Sequence, residues 1–280
     1  MDRGAALGLL ELTRPANSVL AGLLTFVGAF VAGGAADAPV PVAAAVGATV
    51  FATAAGMAVN DYFDRAVDRV NDPHRPIPRG DVSPRAALAF SVLLFVAAVV
   101  LALTLPLLAV AIAVVNLAAL VAYTEFFKGL PGVGNAVVAY LVGSTFAFGA
   151  AAAGELGPAP LVLAVLAGCS TLAREIVKDV EDAAGDRTAG HRTLPIVVGE
   201  RRAVRVAQVL LLVAVAASPW PYVDGTLGLP YLVLVAPADG VMVYASVRSA
   251  DDPAAGQRLL KYGMALAAVA FVVGRAAVVA

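Results

Sequence analysis

The chain has 280 residues, 61% of them hydrophobic and only 14% charged, with a mean hydropathy of +0.88 and a formal net charge of -1. Soluble domains carry about 45–50% apolar and about 25% charged residues, so this composition is that of a membrane protein. The charge gives no reason to expect a nucleic-acid partner, and a single cysteine, Cys169, with two histidines, His74 and His191, excludes an internal disulfide and a Cys/His zinc site.

Apolar runs bounded by charges, Pro and Gly predict an all-α bundle of nine transmembrane helices, over 16–34, 40–60, 86–105, 107–124, 134–153, 159–177, 203–219, 227–247 and 259–279. At about 20 residues per span they occupy most of the chain, which leaves one membrane domain over 1–280. Glu11, Arg14 and Asn17 lead straight into a full-length first span, so that run reads as retained rather than as a signal peptide. Thr104, Leu105 and Pro106 alone separate the third span from the fourth, but a fused span over 86–124 would far exceed a bilayer core.

The basic residues set the orientation. Arg3 and Arg14 precede the first span, Arg65, Arg69, Arg75, Arg79 and Arg85 lie between the second and third, and Lys128 lies between the fourth and fifth. Arg174, Lys178, Arg187, Arg192, Arg201, Arg202 and Arg205 cluster around the link from the sixth span to the seventh, and Arg248, Arg258 and Lys261 around the last link. All of the 19 except Arg275 therefore fall on one face. The positive-inside rule makes that face, the N-terminus and the two long loops cytoplasmic, and puts the C-terminus outside.

The acids concentrate in the same two long loops. The second span runs into Asn60-Asp61-Tyr62-Phe63-Asp64-Arg65-Ala66-Val67-Asp68, and on a continued helix Asn60, Asp61, Asp64 and Asp68 fall at about 0, 100, 40 and 80°, one arc facing one point. The sixth span runs into Arg174-Glu175-Ile176-Val177-Lys178-Asp179-Val180-Glu181-Asp182, followed by Asp186. Relative to Asp179, the residues Glu175, Asp182 and Asp186 lie at about -40, -60 and -20°, with Glu181 near 200° and pointing away. Gly185 is a potential helix end before Asp186. Carboxylates gathered on one face without neutralising partners need a cation, and an all-oxygen set suits magnesium, which joins carboxylates to substrate phosphates. The alternative is a solvated helix cap.

Both acid segments together resemble the two aspartate motifs of the UbiA-type intramembrane prenyltransferases. The resemblance extends through Arg14-Pro15-x-Asn17, Arg75-Pro76-Ile77-Pro78-x-Gly80, Tyr123 to Lys128, Gly134-Asn135 and Thr193-Leu194-Pro195, with His74 standing where the family usually has Asp. It implies a nine-helix fold and transfer of a prenyl group from an isoprenyl diphosphate. It implies metal and diphosphate binding by Asn60, Asp61, Asp64, Asp68, Asp179, Asp182 and Asp186, with two magnesium ions between the clusters and with Asp64, Asp68, Asp182 and Asp186 carrying the catalytic charge stabilisation. Arg75, Lys128 and Lys178 are candidates for phosphate oxygens or plain positive-inside anchors. Asn17 and Asn135 are candidates for substrate contact or helix caps, and Tyr123 for orienting a substrate oxygen or for an interface aromatic.

The segments Leu12-Thr13-Arg14-Pro15-Ala16-Asn17-Ser18 and Arg174 to Asp182 look most like the archaeal ether-lipid branch of that family, which implies a lipid-like glycerol phosphate as acceptor. A quinone or pigment ring is the alternative acceptor, and a cation-coupled transporter the distant alternative function. Asp239, beside Pro237 and Gly240 inside the eighth span, is an intramembrane acid open to a functional role or to a water-lined break. Gly132-Val133-Gly134 follows no strand and does not read as a dinucleotide loop.

Overall fold

The computed structural model describes residues 3–127, 130–188 and 190–279, with residues 3, 70, 71 and 125 described by backbone alone. Among the described residues there is no strand, and the helices are α1 (Arg3–Leu12), α2 (Pro15–Ala32), α3 (Pro39–Asn71), α4 (Pro76–Arg79), α5 (Pro84–Ala102), α6 (Leu107–Ala122), α7 (Val133–Ala152), α8 (Pro158–Thr188), α9 (Leu194–Val198), α10 (Glu200–Ala217), α11 (Trp220–Val223), α12 (Leu229–Arg248) and α13 (Pro253–Val279). Proline opens α2, α3, α5 and α12, where its missing amide costs nothing. Ser83 caps α5 by accepting from the Ala86 amide at 3.2 Å, and Gly33 ends α2 with a φ of 95°.

Among the described residues, 8 helical segments are long and apolar enough to cross a membrane, as befits a multi-pass membrane protein. They are α2, α3, α5, α7, α8, α10 with α11, α12 and α13. The fourth expected span, 107–124, is the shorter α6 of 16 residues, which runs into a π-helical turn at Tyr123–Phe127. Two helices outlast their apolar parts: α3 reaches Asn71, and α8 continues through Gly185 to Thr188, so Gly185 does not end it. Both acid segments thus sit on unbroken helix.

The core mixes many buried alanines with a few large side chains such as Phe146, Leu163 and Tyr231. Helices gain little from burying apolar surface when lipid is the solvent, so close backbone approach supplies the packing instead. The closest approach is between α2 and α7, where a Cβ on Gly28 would overlap the Phe146 backbone and one on Gly149 the Thr25 carbonyl. Large apolar side chains such as Leu93, Leu107, Val115 and Val233 lie on the outside. Helix α7 packs against both α2 and α8, α8 against α10 and α13, and α3 against α2 and α5. The ends of α3 and α8 therefore meet the starts of α2, α7, α10 and α13 at one end of the bundle.

Gly149→Leu is expected to lower the thermal midpoint of the detergent-solubilised protein by the equivalent of about 2 kcal/mol, because backbone cannot step aside as a rotamer can. Gly4→Ala, where nothing lies within 4 Å of the new Cβ, should leave the midpoint in place. Equal midpoints for both variants would remove the glycine contact as a packing determinant.

Candidate active site

The first acid segment does not face a single point. Asp61 and Asp68 are 4% and 6% exposed, and both turn toward the loop after α3. There Arg75 Nη1 donates to Asp61 Oδ1 and to Asp68 Oδ2, each at 3.0 Å, and Arg75 Nε donates to Asp72 at 3.1 Å. Arg14 Nη2 donates to the same Asp61 Oδ1 at 2.9 Å. Burial by itself would lower the Arg75 pKa, but the charge of Asp61, the hydrogen bond to Asp72 and the charge of Asp68 outweigh it and hold the guanidinium above its usual value. The expectation of acids without neutralising partners is thereby corrected: buried carboxylates at this spacing repel one another, and a guanidinium within 3 Å lowers that cost.

Arg14 holds its contact from the left-handed region, with a φ of 43°; among the described residues it is the one non-glycine with positive φ. That conformation costs about 1–2 kcal/mol. It persists where Arg14 joins the start of α2 to Asp61 on α3. Asp61, expected among the metal ligands, is thus committed to two arginines.

The rest of the site lies between α3, the π-helical turn, α7 and α8. The charges of Asp64 on α3 and of Glu175 and Asp179 on α8 all act on the Tyr123 hydroxyl, so both acid segments approach this one phenol. Tyr123 sits at the start of the π-helical turn, a distortion that recurs at functional sites. Asn135, in the first turn of α7, donates from Nδ2 to Asp179 Oδ2 at 2.8 Å. It does not cap α7, whose N-cap is Gly132, so the contact with Asp179 is its role in the fold. Lys178 Nζ lies 4.0 Å from Asp182 Oδ2, with both side chains about half exposed. Asp186 meets His191 Nδ1 at 3.2 Å. The helical wheel placed Glu181 away from this set, and Glu181 is exposed.

Not every expected residue joins. Asn17 is exposed on the first turn of α2 and makes no contact with the acids, and Lys128 lies outside the described residues. His74 is exposed and contributes its carbonyl to Arg79 Nη1 at 2.7 Å, a loop contact. Asp239 accepts from Ser218 Oγ at 2.5 Å, well away from both acid segments in the chain and in the fold. Sequence reasoning overlooked Arg14 as a site residue, although its place before Pro15 at the foot of the first span was visible.

The candidate donor set is all oxygen, from Asn60, Asp61, Asp64, Asp68, Asp179, Asp182 and Asp186, and its chemistry fits magnesium. Among the described residues no three of the candidate carboxylate, imidazole or thiol groups close around an ion unaided. Magnesium commonly completes its shell with water and substrate phosphate, so an open set shared by two helices is suited to an ion that arrives with a diphosphate.

Arg75→Ala should cost about 3 kcal/mol of stability, because it strands Asp68 as a buried charge and leaves Asp61 with Arg14 alone. Arg75→Lys should recover only part of that, since one ammonium cannot serve three carboxylates. A melting curve unchanged by Arg75→Ala would show that the ion cluster does not support the fold.

Comparison with known proteins places this arrangement. Residues 21–273 match the UbiA prenyltransferase family. The chain is 64% identical over 271 residues to the digeranylgeranylglyceryl phosphate synthase of Halobacterium salinarum, covering 96% of this chain and 97% of the relative. It is 62% identical over 273 residues to the protein of the same name from Natronomonas pharaonis, covering 98% of each. A solved structure described as giving insights into digeranylgeranylglyceryl phosphate synthase in membranes superposes with a TM-score of 0.82 at 32% identity, covering 97% of this chain and 98% of that one. A UbiA homolog from Archaeoglobus fulgidus, bound to GPP and Mg2+, shares the fold with a TM-score of 0.69 at 18% identity, covering 98% of this chain and 100% of that one. The acid segments, the bundle and these relatives agree: the chain belongs to the UbiA prenyltransferase family.

Proposed function

We propose that this protein transfers a geranylgeranyl group from its diphosphate to the free glycerol hydroxyl of geranylgeranylglyceryl phosphate, forming an ether bond of archaeal membrane lipid. The observation that carries this reading is the 64% identity, over 96% of the chain, to a relative named for that product. The site supports it, because two acid-bearing helix ends meet at the mouth of an apolar bundle. The carbon–oxygen bond to the diphosphate breaks with its electron pair on the bridging oxygen, the glycerol oxygen attacks the allylic carbon, and the hydroxyl proton leaves with the released diphosphate.

Two magnesium ions, held by Asn60, Asp61, Asp64, Asp68, Asp179, Asp182 and Asp186, would neutralise the charge growing on the leaving diphosphate. The chain itself does the positioning. Asn135 holds Asp179 toward α7, while Arg75 holds Asp68 and shares Asp61 with Arg14. Lys178 and Lys128 are assigned to phosphate oxygens, and Tyr123 to orienting a substrate oxygen between the two acid segments. Asn17 is assigned a place at the mouth of the site. The apolar helices accept the prenyl tail and keep water from the allylic cation. The division of basic residues supports a cytoplasmic N-terminus and site, with the C-terminus outside.

Activity should vanish in excess chelator and return with magnesium; full activity in chelator would remove the metal from the reaction. Asp64→Ala and Asp182→Ala should each lower kcat by at least about a hundredfold, as when charge stabilisation at a reacting centre is lost. Glu181→Ala should cost far less, and an equal loss would contradict the helical wheel. Labelled geranylgeranyl diphosphate offered with an acceptor panel should label geranylgeranylglyceryl phosphate and not 4-hydroxybenzoate or dihydroxynaphthoate. The reverse would move the acceptor to an aromatic ring.

Orientation has its own test. With Cys169 replaced by Ser, a cysteine at the exposed Asp224 should react with a membrane-impermeant thiol reagent outside intact cells, and one at the exposed Arg192 should not. The opposite pattern would invert the topology.

A further inference from the structure

At the end of the bundle away from the acid segments, a cavity of about 350 Å3 opens between the last turn of α2, the link from α7 to α8, and α13. Val31, Glu155, Gly157, Ala159, Thr226 and Arg275 are among its lining residues. Arg275 is the basic residue that the span pattern separates from all the others. Its Nη1 reaches the Thr226 carbonyl at a long 3.4 Å, and its buried Nε has no hydrogen-bond partner. Glu155 lines the same cavity from an exposed position, and among the described residues it is not ion-paired with Arg275. A guanidinium with five donors, partly removed from water and with its nearest carboxylate not in ion-pair contact, is costly at the end of an apolar bundle.

The walls add further donors. Helix α8 begins at Pro158, so the amides of Gly157 and Ala159 lack helical acceptors, while Pro158 and Pro160 have no amide to offer. The positive end of the α8 dipole thus borders the cavity on one side and the Arg275 fork on another. Donors converging from different walls match a tetrahedral anion better than a planar carboxylate. The cavity also lies at helix ends, the depth at which lipid headgroups sit. Glu155 at the rim disfavours multiply charged ligands.

We infer that this cavity is a binding site for a singly charged phosphate group, taken from the headgroup of an anionic lipid or from free phosphate, with Arg275 as its anchor. The site is separate from the acid segments and does not depend on the proposed reaction.

The test uses the full chain in detergent, followed by native mass spectrometry with dioleoylphosphatidylglycerol or the uncharged dioleoylglycerol, and by thermal melting in inorganic phosphate. The wild type should retain the phosphatidylglycerol and not the dioleoylglycerol. Arg275→Gln should weaken that retention at least tenfold, and Glu155→Gln should strengthen it several-fold. A midpoint raised by inorganic phosphate in an Arg275-dependent way, without lipid retention, would identify free phosphate as the source. Arg275→Lys, which keeps the charge and loses the fork, should fall between wild type and Arg275→Gln and serves if the latter does not fold. Retention of both lipids alike by wild type and variants, with no phosphate effect, would overturn the site. So would a midpoint lowered as much by Glu155→Gln as by Arg275→Gln, which would mark the two side chains as an ion pair.

Discussion

A carboxylate at the end of an apolar helix bundle needs either water or an opposite charge within a few ångströms, and that constraint organises this protein. Asp61 and Asp68 are almost fully removed from water. The loop after α3 therefore has to return Arg75 to them, and the chain before α2 has to bring Arg14 at the expense of a left-handed backbone. The path of α1, the entry into α2 and the short helix α4 all follow from delivering two guanidinium groups to α3. The ion cluster ties the first third of the chain together at the end where the second acid segment also arrives.

The same pairing sorts the acids by task. Donors of Arg75 are committed to Asp61, Asp68 and Asp72, and one of Arg14 to Asp61. Asp64 lies within electrostatic range of Tyr123, as do Glu175 and Asp179. The second segment is held more lightly, with Asn135 on Asp179 and His191 on Asp186, and its Asp182 remains half exposed. Acids that look alike in the sequence thus differ in partner, with arginine on Asp61 and Asp68, an amide on Asp179 and an imidazole on Asp186.

The helices were legible because each is a long apolar run closed by charge, proline or glycine, and a bilayer admits few other solutions. The shared faces of Glu175, Asp179 and Asp186 were legible for the same reason, since 100° per residue holds wherever a helix does not break, and α8 does not break at Gly185. What periodicity cannot carry is the route of a loop. Nothing in the spacing of Asp61 and Arg75 states that residues 72–75 double back, so an acid clamped by arginine reads like an acid awaiting a metal. The π-helical turn at Tyr123 and the caplike position of Asn135 were hidden likewise: the first is a local distortion, and the second is decided by which residue, Gly132 or Asn135, begins the helix.

Commitment of the arginines bears on why a divalent ion belongs in this chemistry at all. A diphosphate leaving group concentrates several negative charges, and the guanidinium groups nearest to α3 already serve carboxylates. Releasing Arg75 to a substrate would strand Asp68 as a buried charge and leave Asp61 with Arg14 alone. On the proposed reading Lys178 and Lys128 are left to oppose the diphosphate, beside acids that would repel it. Cations brought in from solution would add to those lysines in reversing the sign of that surface, and an all-oxygen set on two separate helices would suit them. Arg14 and Arg75 are engaged with Asp61, Asp68 and Asp72, so on the proposed reading the charge of a diphosphate falls to metal and to lysine rather than to these arginines.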